Sequence, residues 1–508
     1  MLEFKQEQNQ KITTNPWFAR TVILSFLGLS FLNCWIILFP NWQAHDIVPP
    51  GDDPAVHLQI ITNILAGKGW LIGLPYPPLF HWIVATLAFV THINAIEAQW
   101  AVTTAILGLI PITVAGLFAI KVSDKRLAAL IIGILCTAVM LLLSHQPLQA
   151  WGDGNYPNML AEGILLPLLI YCLNLLHDKW KMTTALATIT ILALIFATHA
   201  MSILIALVVF GAGVLLIDLS ISQKLQLAGG AIFLTLVAWL KVVGPTISLS
   251  TIHSLLAGQS NIVPGLSTAY STITPIREFS LFFGQPFFIV AIALLSLVVT
   301  MYIFNTSSRY LILLLGIWCI SLFLASRVHG LAVPDRFLRD MSYPLIALST
   351  VGITLLARRS LLAVTPVILL LCWIGIRFPT VAQYQFGSFV PHPNGIRAIE
   401  QRIDHNTAME FIRIGSHIPA NAAVVTNLTT SYAPFLLNHA TTALETTSLG
   451  TQTLPYYIVI GPESGGSLKS PEQSDIYGNT TKFLKGIPGI VIAREKHVEL
   501  IRVTAKSR

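Results

Sequence analysis

Apolar residues run along this chain in long blocks divided by short polar stretches. Blocks long enough to cross about 30 Å of hydrocarbon cover 21–40, 97–120, 127–143, 159–176, 182–199, 200–217, 225–247, 286–304, 310–326, 341–357 and 361–377. Each predicts a transmembrane helix, about 11 in all. One further block, 77–93, is shorter, opens with Tyr76-Pro77-Pro78 and holds His81 and His92. Beyond residue 377 the pattern changes. Residues 401–416 predict a helix, Ala422–Thr426 and Tyr456–Ile460 predict strands, and 489–503 predicts a hairpin with Ile490-Val491-Ile492 against Glu499-Leu500-Ile501. The expected architecture is a polytopic α-helical membrane domain, residues 1–377, followed by a small α/β domain, residues 378–508.

Composition agrees. Of 508 residues, 54% are hydrophobic and 10% charged, with mean hydropathy +0.71, whereas soluble domains carry about 25% charged residues. Ordinary Gly and Pro usage (33 and 28 residues) excludes a fibrous or disordered chain. Residues 378–508 hold 20 of the 53 charges, as expected of a soluble part. The net charge of +7 reports topology rather than nucleic-acid binding. If 77–93 does not span, inward loops carry 12 Lys/Arg and outward membrane-proximal positions carry seven. That places the N-terminus in the cytoplasm and the C-terminal domain outside it, in the cytoplasmic (inner) membrane. The outer loops are then 41–96, with helices lying in the interface, 144–158, 248–285 and 327–340. The first block lacks a cleavage site and reads as a span. All five cysteines sit in apolar runs without metal-ligand spacing, so neither disulfides nor zinc are expected.

Chemistry-bearing residues gather in the outer loops, where function concentrates. Asp53 before Pro54 starts a helix over Pro54–Ala66, a carboxylate cap followed by proline, and sets His57 one turn along. Adjacent carboxylates are costly near lipid. Asp52 and Asp53 therefore suit helix capping, proton abstraction from a hydroxyl or binding of a divalent cation. Trp151-Gly152-Asp153-Gly154-Asn155 is turn-like, with Glu162 one turn into the next helix. Asp153 either belongs to that turn or adds a carboxylate to the site. Thr198-His199-Ala200 joins two blocks with almost no loop. His199 is a turn residue or, facing a cavity, a partner for phosphate or hydroxyl. Arg277 beside Glu278 faces either an ion pair or solvent. Arg327, His329, Asp335, Arg336, Arg339 and Asp340 crowd one loop, as mutual ion pairs or as a bidentate clamp for a lipid phosphate.

Asp53-Pro54-x-x-His57-Leu58 after one transmembrane helix resembles the first-loop motif of oligosaccharyltransferase catalytic subunits. More broadly it resembles the GT-C superfamily of membrane glycosyltransferases. Tyr76-Pro77-Pro78-Leu79-Phe80-His81 matches their later Pro-Pro-Leu element, and Arg336-Phe337-Leu338 ahead of Tyr343-Pro344-Leu345 is similar to another of their segments. Gly154-Asn155-Tyr156-Pro157 with Glu162 and Leu165-Leu166-Pro167-Leu168 also resembles a subgroup known as pterin-synthase-related membrane proteins. Pterin chemistry is not implied, because nothing suggests a soluble pterin pocket. The tail lacks a Trp-Trp-Asp element, so sequon recognition is not implied either.

The resemblance implies a catalytic Asp53, with Asp52 or Asp153 orienting the acceptor, or with Asp53 and Asp153 holding a divalent cation (Mg or Mn). It implies donor-phosphate contacts from Arg336, Arg339, His199 and Arg277, supported by His57 and Glu162. The implied donor is a polyprenyl-phosphate sugar, and the acceptor an envelope glycan, lipid or protein. A non-enzymatic transporter or scaffold for lipid-linked glycans is the alternative. It calls for charges deep in the spans. Glu162 and Lys241 fall within them, both near an expected end, which favours the enzyme.

Overall fold

The computed structural model describes residues 16–43, 53–69, 77–152, 154–238, 273, 275–279, 283, 285–304, 308–328, 334–377, 389–392, 395–398, 405–419, 422–426, 437, 441–443, 455–461, 482 and 484–504. Helices come first: α1 (Pro16–Gln43), α2 (Asp53–Leu65), α3 (Leu79–Thr91), α4 (Ala95–Ser123), α5 (Leu127–Leu143), α6 (Leu148–Gly152), α7 (Tyr156–Asp178), α8 (Met182–Thr198), α9 (Ala200–Leu216) and α10 (Ile221–Ala238). They continue as α11 (Gln285–Phe304), α12 (Arg309–Ala325), α13 (Pro334–Asp340), α14 (Ser342–Arg359) and α15 (Leu361–Arg377).

Over their described residues, the apolar blocks expected to span fall on helices. Among the described residues six helical stretches, within or across α1, α4, α7, α10, α11 and α13–α14, are long and apolar enough to cross a bilayer. The helices α5, α8, α9, α12 and α15 have 17 residues each. The 77–93 block gives α3, 13 residues long, about 20 Å at 1.5 Å per residue and short of a bilayer core. Helix α2 begins at Asp53, one residue before the expected start.

The bundle is built around α14. Its residues Ser342 through Leu355 are all buried, although Ser349, Thr350, Gly352 and Thr354 give it modest hydropathy. Small residues let helices approach closely where lipid offers no hydrophobic drive between them. A Cβ on Gly133 of α5 would lie 2.2 Å from Thr354 Oγ1, and one on Gly352 would lie 2.8 Å from Val298 Cγ2 of α11. Thr137 and Thr350 hydroxyls meet at 2.9 Å. At the periphery, α1 and α10 leave Leu24, Phe31, Ile232 and Phe233 exposed, as suits a lipid-facing surface.

After α15 come β1 (Phe389–His392) and β2 (Gly395–Ala398), an antiparallel pair. Then follow α16 (His405–Gly415), β3 (Ala423–Thr426), β4 (Thr441–Ala443), β5 (Tyr456–Ile460), β6 (Ile490–Arg494) and β7 (Glu499–Val503). Five of these strands form one mixed sheet, ordered β4-β3-β5-β7-β6. The expected hairpin is present: Val491 pairs with Ile501 and Ala493 with Leu500, across a bulge at Ile492. Leu58 of α2 is buried in one cluster with Phe411, Ile414, Val498 and Leu500, so the sheet domain packs against the first loop's helix.

Two expectations need correction. The 144–158 segment is not an open loop. Residues 143–152 are all buried, and the His145 amide donates to the Phe283 carbonyl at 3.4 Å. Glu162 does not lie near a helix end. Helix α7 starts at Tyr156, with Pro157 in its first turn, which places Glu162 almost two turns inside.

Candidate functional site

The site forms where α2, α3, the start of α7, the α8–α9 junction and α13 converge. Helix α7 makes a wide π turn over Ala161–Leu165 that contains Glu162. Such turns offset a side chain from the regular helical track. Thr113, in a matching π turn of α4 (Ile112–Gly116), donates to the Gly163 carbonyl at 2.7 Å. Gly163 permits this approach, because a Cβ there would meet Ile110 Cγ1 at 2.8 Å. Glu162 is buried, and its Oε2 accepts from Trp318 Nε1 of α12 at 3.2 Å.

A continuous polar network runs beside it. Asp340, at the end of α13, is 3% exposed. Its Oδ2 accepts from Asn158 Nδ2 at 2.7 Å, and its Oδ1 accepts from Gln146 Nε2 at 3.2 Å. Arg339 Nε stands 3.7 Å from the same Oδ1. Asn158 Oδ1 accepts from the Ser202 hydroxyl at 3.3 Å, and Ser202 in turn meets His199 Nδ1 at 3.0 Å. His199 is the one extended residue between α8 and α9 (φ −153°, ψ 123°). Asn158, Glu162, His199, Ser202, Arg336 and Asp340 line one narrow cleft. Arg336 is half-buried and Arg339 buried. The cleft thus offers a guanidinium, an imidazole, a hydroxyl, an amide and carboxyl groups, a set suited to a charged, hydroxyl-bearing ligand.

A second group adjoins it. His57 of α2 is 3% exposed and packs against the rings of Phe80 and Tyr156. His57 Nε2 lies 2.9 Å from the Gly154 carbonyl, and Nδ1 lies 3.0 Å from His81 Nε2 of α3. Gln99 Nε2 of α4 donates to the Pro54 carbonyl at 3.0 Å, fixing the start of α2. Burial pushes His57 down to about 4, with the charge of Arg336 acting in the same direction. This influence ties Arg336 to the His57 group.

Of the residues singled out in the sequence, Glu162, His199, Arg336 and Arg339 come together here, and His57 stands beside them. Arg277 does not join them. It lies exposed on the short turn Ile276–Glu278, away from the cleft lining. Asp52, Asp153 and His329 lie outside the described residues, as does the side chain of Asp53, whose backbone opens α2. Asn158, Ser202, Gln146 and Trp318 went unassigned in the sequence. Among the described residues no group of three His, Cys, Asp or Glu side chains could hold a metal ion. The Asp340 carboxylate already has Asn158, Gln146 and Arg339 around it, an arrangement that does not fit a cation.

No protein-family model matches the chain, and no curated protein sequence matches it. Among solved structures it is similar to ArnT from Cupriavidus metallidurans bound to undecaprenyl phosphate. The TM-score is 0.56 and the identity 12%, covering 96% of this chain and 97% of that one. The apo state of the same protein gives 0.53 and 13% over the same shares. The fold is that of ArnT. Identities this low carry the architecture alone, and the expected helical bundle followed by a small C-terminal sheet holds on that ground.

Buried His57 sets a pH dependence. An imidazole whose folded-state value lies below its ordinary 6.5 binds protons less readily than it does in the unfolded chain. Stability is therefore complete above about pH 6.5. It falls as pH drops toward about 4 for His57. Thermal unfolding of the purified protein in detergent should show a melting temperature that declines by several degrees across this range. His57→Gln, which cannot take up the proton, should flatten the decline.

Proposed function

We propose that this protein is a membrane glycosyltransferase of the GT-C type. It moves a sugar from a polyprenyl-phosphate donor to an envelope acceptor on the outer face of the cytoplasmic membrane. The observation that carries this reading is the cleft of Arg336, His199, Asn158, Ser202, Glu162 and Asp340. It sits in a fold shared with a membrane glycosyltransferase whose structure binds undecaprenyl phosphate. The spread of 12 inward against seven outward basic residues supports a cytoplasmic N-terminus and an extracytoplasmic sheet domain.

In this mechanism Asp53 takes the proton from an acceptor hydroxyl as that oxygen bonds to the anomeric carbon. Asp52 or Asp153 orients the acceptor. The bond from that carbon to the phosphate oxygen breaks, and the lipid phosphate leaves with the electron pair. Arg336 and His199 meet the growing charge on the phosphate, where preorganised donors in a dry site act most strongly. Arg339 holds Asp340 and so keeps the cleft in shape. Arg277, exposed on the turn Ile276–Glu278 that precedes α11, takes no part in this step. A divalent cation held by Asp53 and Asp153 belongs to the same proposal, and no step above depends on it.

Asp53→Asn keeps the side-chain shape but cannot accept the proton at neutral pH. A deletion strain of the source organism complemented with this variant should lack the same envelope glycan as the uncomplemented strain, with the protein present in the membrane. A restored glycan would overturn this transfer reading and leave Asp53 a helix cap, and transfer that persists in chelator-treated membranes would remove the cation.

Donor affinity should separate the two arginines. With undecaprenyl phosphate as probe, Arg336→Lys keeps the charge but loses the planar fork, so binding should weaken several-fold, and Arg336→Ala should weaken it further. Arg339→Ala should instead lower the yield of folded protein, because Asp340 is left buried without its cation, a loss of about 3–5 kcal/mol. Unchanged affinity in Arg336→Ala would remove that residue from the phosphate site.

A further inference from the structure

The hydrogen bonds of His57 have a direction. A carbonyl oxygen only accepts, so the 2.9 Å contact with Gly154 places the proton of His57 on Nε2. A neutral imidazole then has a lone pair on Nδ1, and His81 Nε2, 3.0 Å away, donates to it. The tautomer follows from the network. The chain of bonds runs from α3 through α2 to the turn ahead of α7.

Two members of that chain, His57 in its middle and Gly154 at one end, are near neighbours in sequence of carboxylates of the proposed mechanism. His57 lies four residues, one helical turn, after Asp53 on α2. Gly154 follows Asp153 in sequence and is itself in the left-handed region, φ +70°. The turn is closed by its own backbone: Gly154 N–H donates to Trp151 O at 3.0 Å, Asn155 N–H to Ala150 O at 2.8 Å, and Tyr156 N–H to Gly154 O at 2.8 Å. Phe80 and Tyr156 pack around the imidazole and leave it little freedom to rotate.

We infer that His57, with its proton fixed on Nε2 by His81, is a positioning residue. It clamps the turn at Gly154, the residue after Asp153 in sequence, to the helix that begins at Asp53, and so holds together the backbone of the two segments that carry those carboxylates. This rests on the transfer reading above, and it explains why the Asp-Pro-x-x-His spacing and the Pro-Pro-Leu-Phe-His element serve one site.

Two measurements on the full-length protein test it. Hydrogen exchange of the purified protein reads the amides of residues 154–156. His57→Phe keeps a flat ring but has no donor, and should speed exchange there roughly tenfold, the equivalent of one lost hydrogen bond. His57→Gln retains an amide donor and should restore most of the protection. The envelope glycan of complemented strains should fall with His57→Phe and recover with His57→Gln. Undecaprenyl phosphate binding should stay unchanged in both, because the donor side is intact. In an Asp153→Asn background, His57→Phe should lower the glycan no further, since both act through one group. Unchanged exchange in His57→Phe, or an equal further drop in the Asp153→Asn background, overturns the positioning role. A normal glycan in the Asp53→Asn strain instead overturns the transfer reading, while the exchange result still reports on the clamp.

Discussion

A carboxylate shut away from water must collect donors or it cannot stay charged. Asp340 collects them from widely separated parts of the chain: Asn158 at the start of α7, Gln146 just before α6, and its own neighbour Arg339. Asn158 then binds Ser202, and Ser202 meets His199 at the α8–α9 break. Four segments are thereby held to one anchor. Such a network adds little net stability, but losing one partner costs several kcal/mol. Its effect is to select a single arrangement of the helix ends, and the cleft is the space which that arrangement leaves.

The same demand explains the irregular helices. A π turn frees a backbone carbonyl, which inside a bundle needs another donor. Thr113 supplies it to Gly163 from a second π turn on α4. The two irregularities are thus one feature, paired across the α4–α7 contact that Gly163 makes possible. It moves Glu162 into the cleft beside Trp318. A regular helix would have left a carboxyl facing another direction and the Trp318 indole without this acceptor.

Lipid made much of the fold legible. A span must be long and apolar whatever it packs against, so the expected blocks fell on helices over their described residues. The strands at Ala423–Thr426 and Tyr456–Ile460 follow from short β-branched and aromatic runs. Polar partners in the site carry no such pattern. Asn158, Ser202, Gln146 and Trp318 share no spacing that links them, and only the tertiary fold brings them together. The depth of Glu162 was readable in principle: Pro157 belongs in the first turn of a helix rather than ahead of it. Reading the apolar run alone placed that start three residues late.

Arg336 and Arg339 illustrate how one motif divides its labour. They lie one turn apart on a helix of seven residues. Arg339 is 3% exposed with Asp340 beside it, while Arg336 is half-buried and lines the cleft. The difference follows from the helix itself. Residue 339 is carried into the bundle by the start of α14, whose first residues are wholly buried, and a guanidinium there needs a carboxylate within reach. Asp340 answers that need and, through Asn158, transmits it to α7 and α9. Arg336 lies toward the cleft, where its charge bears on His57. A ligand phosphate entering beside Arg336 would therefore meet a cation whose surroundings are already fixed by the other arginine. Burying one charge so that a second can be held ready is the economy on which this site is built.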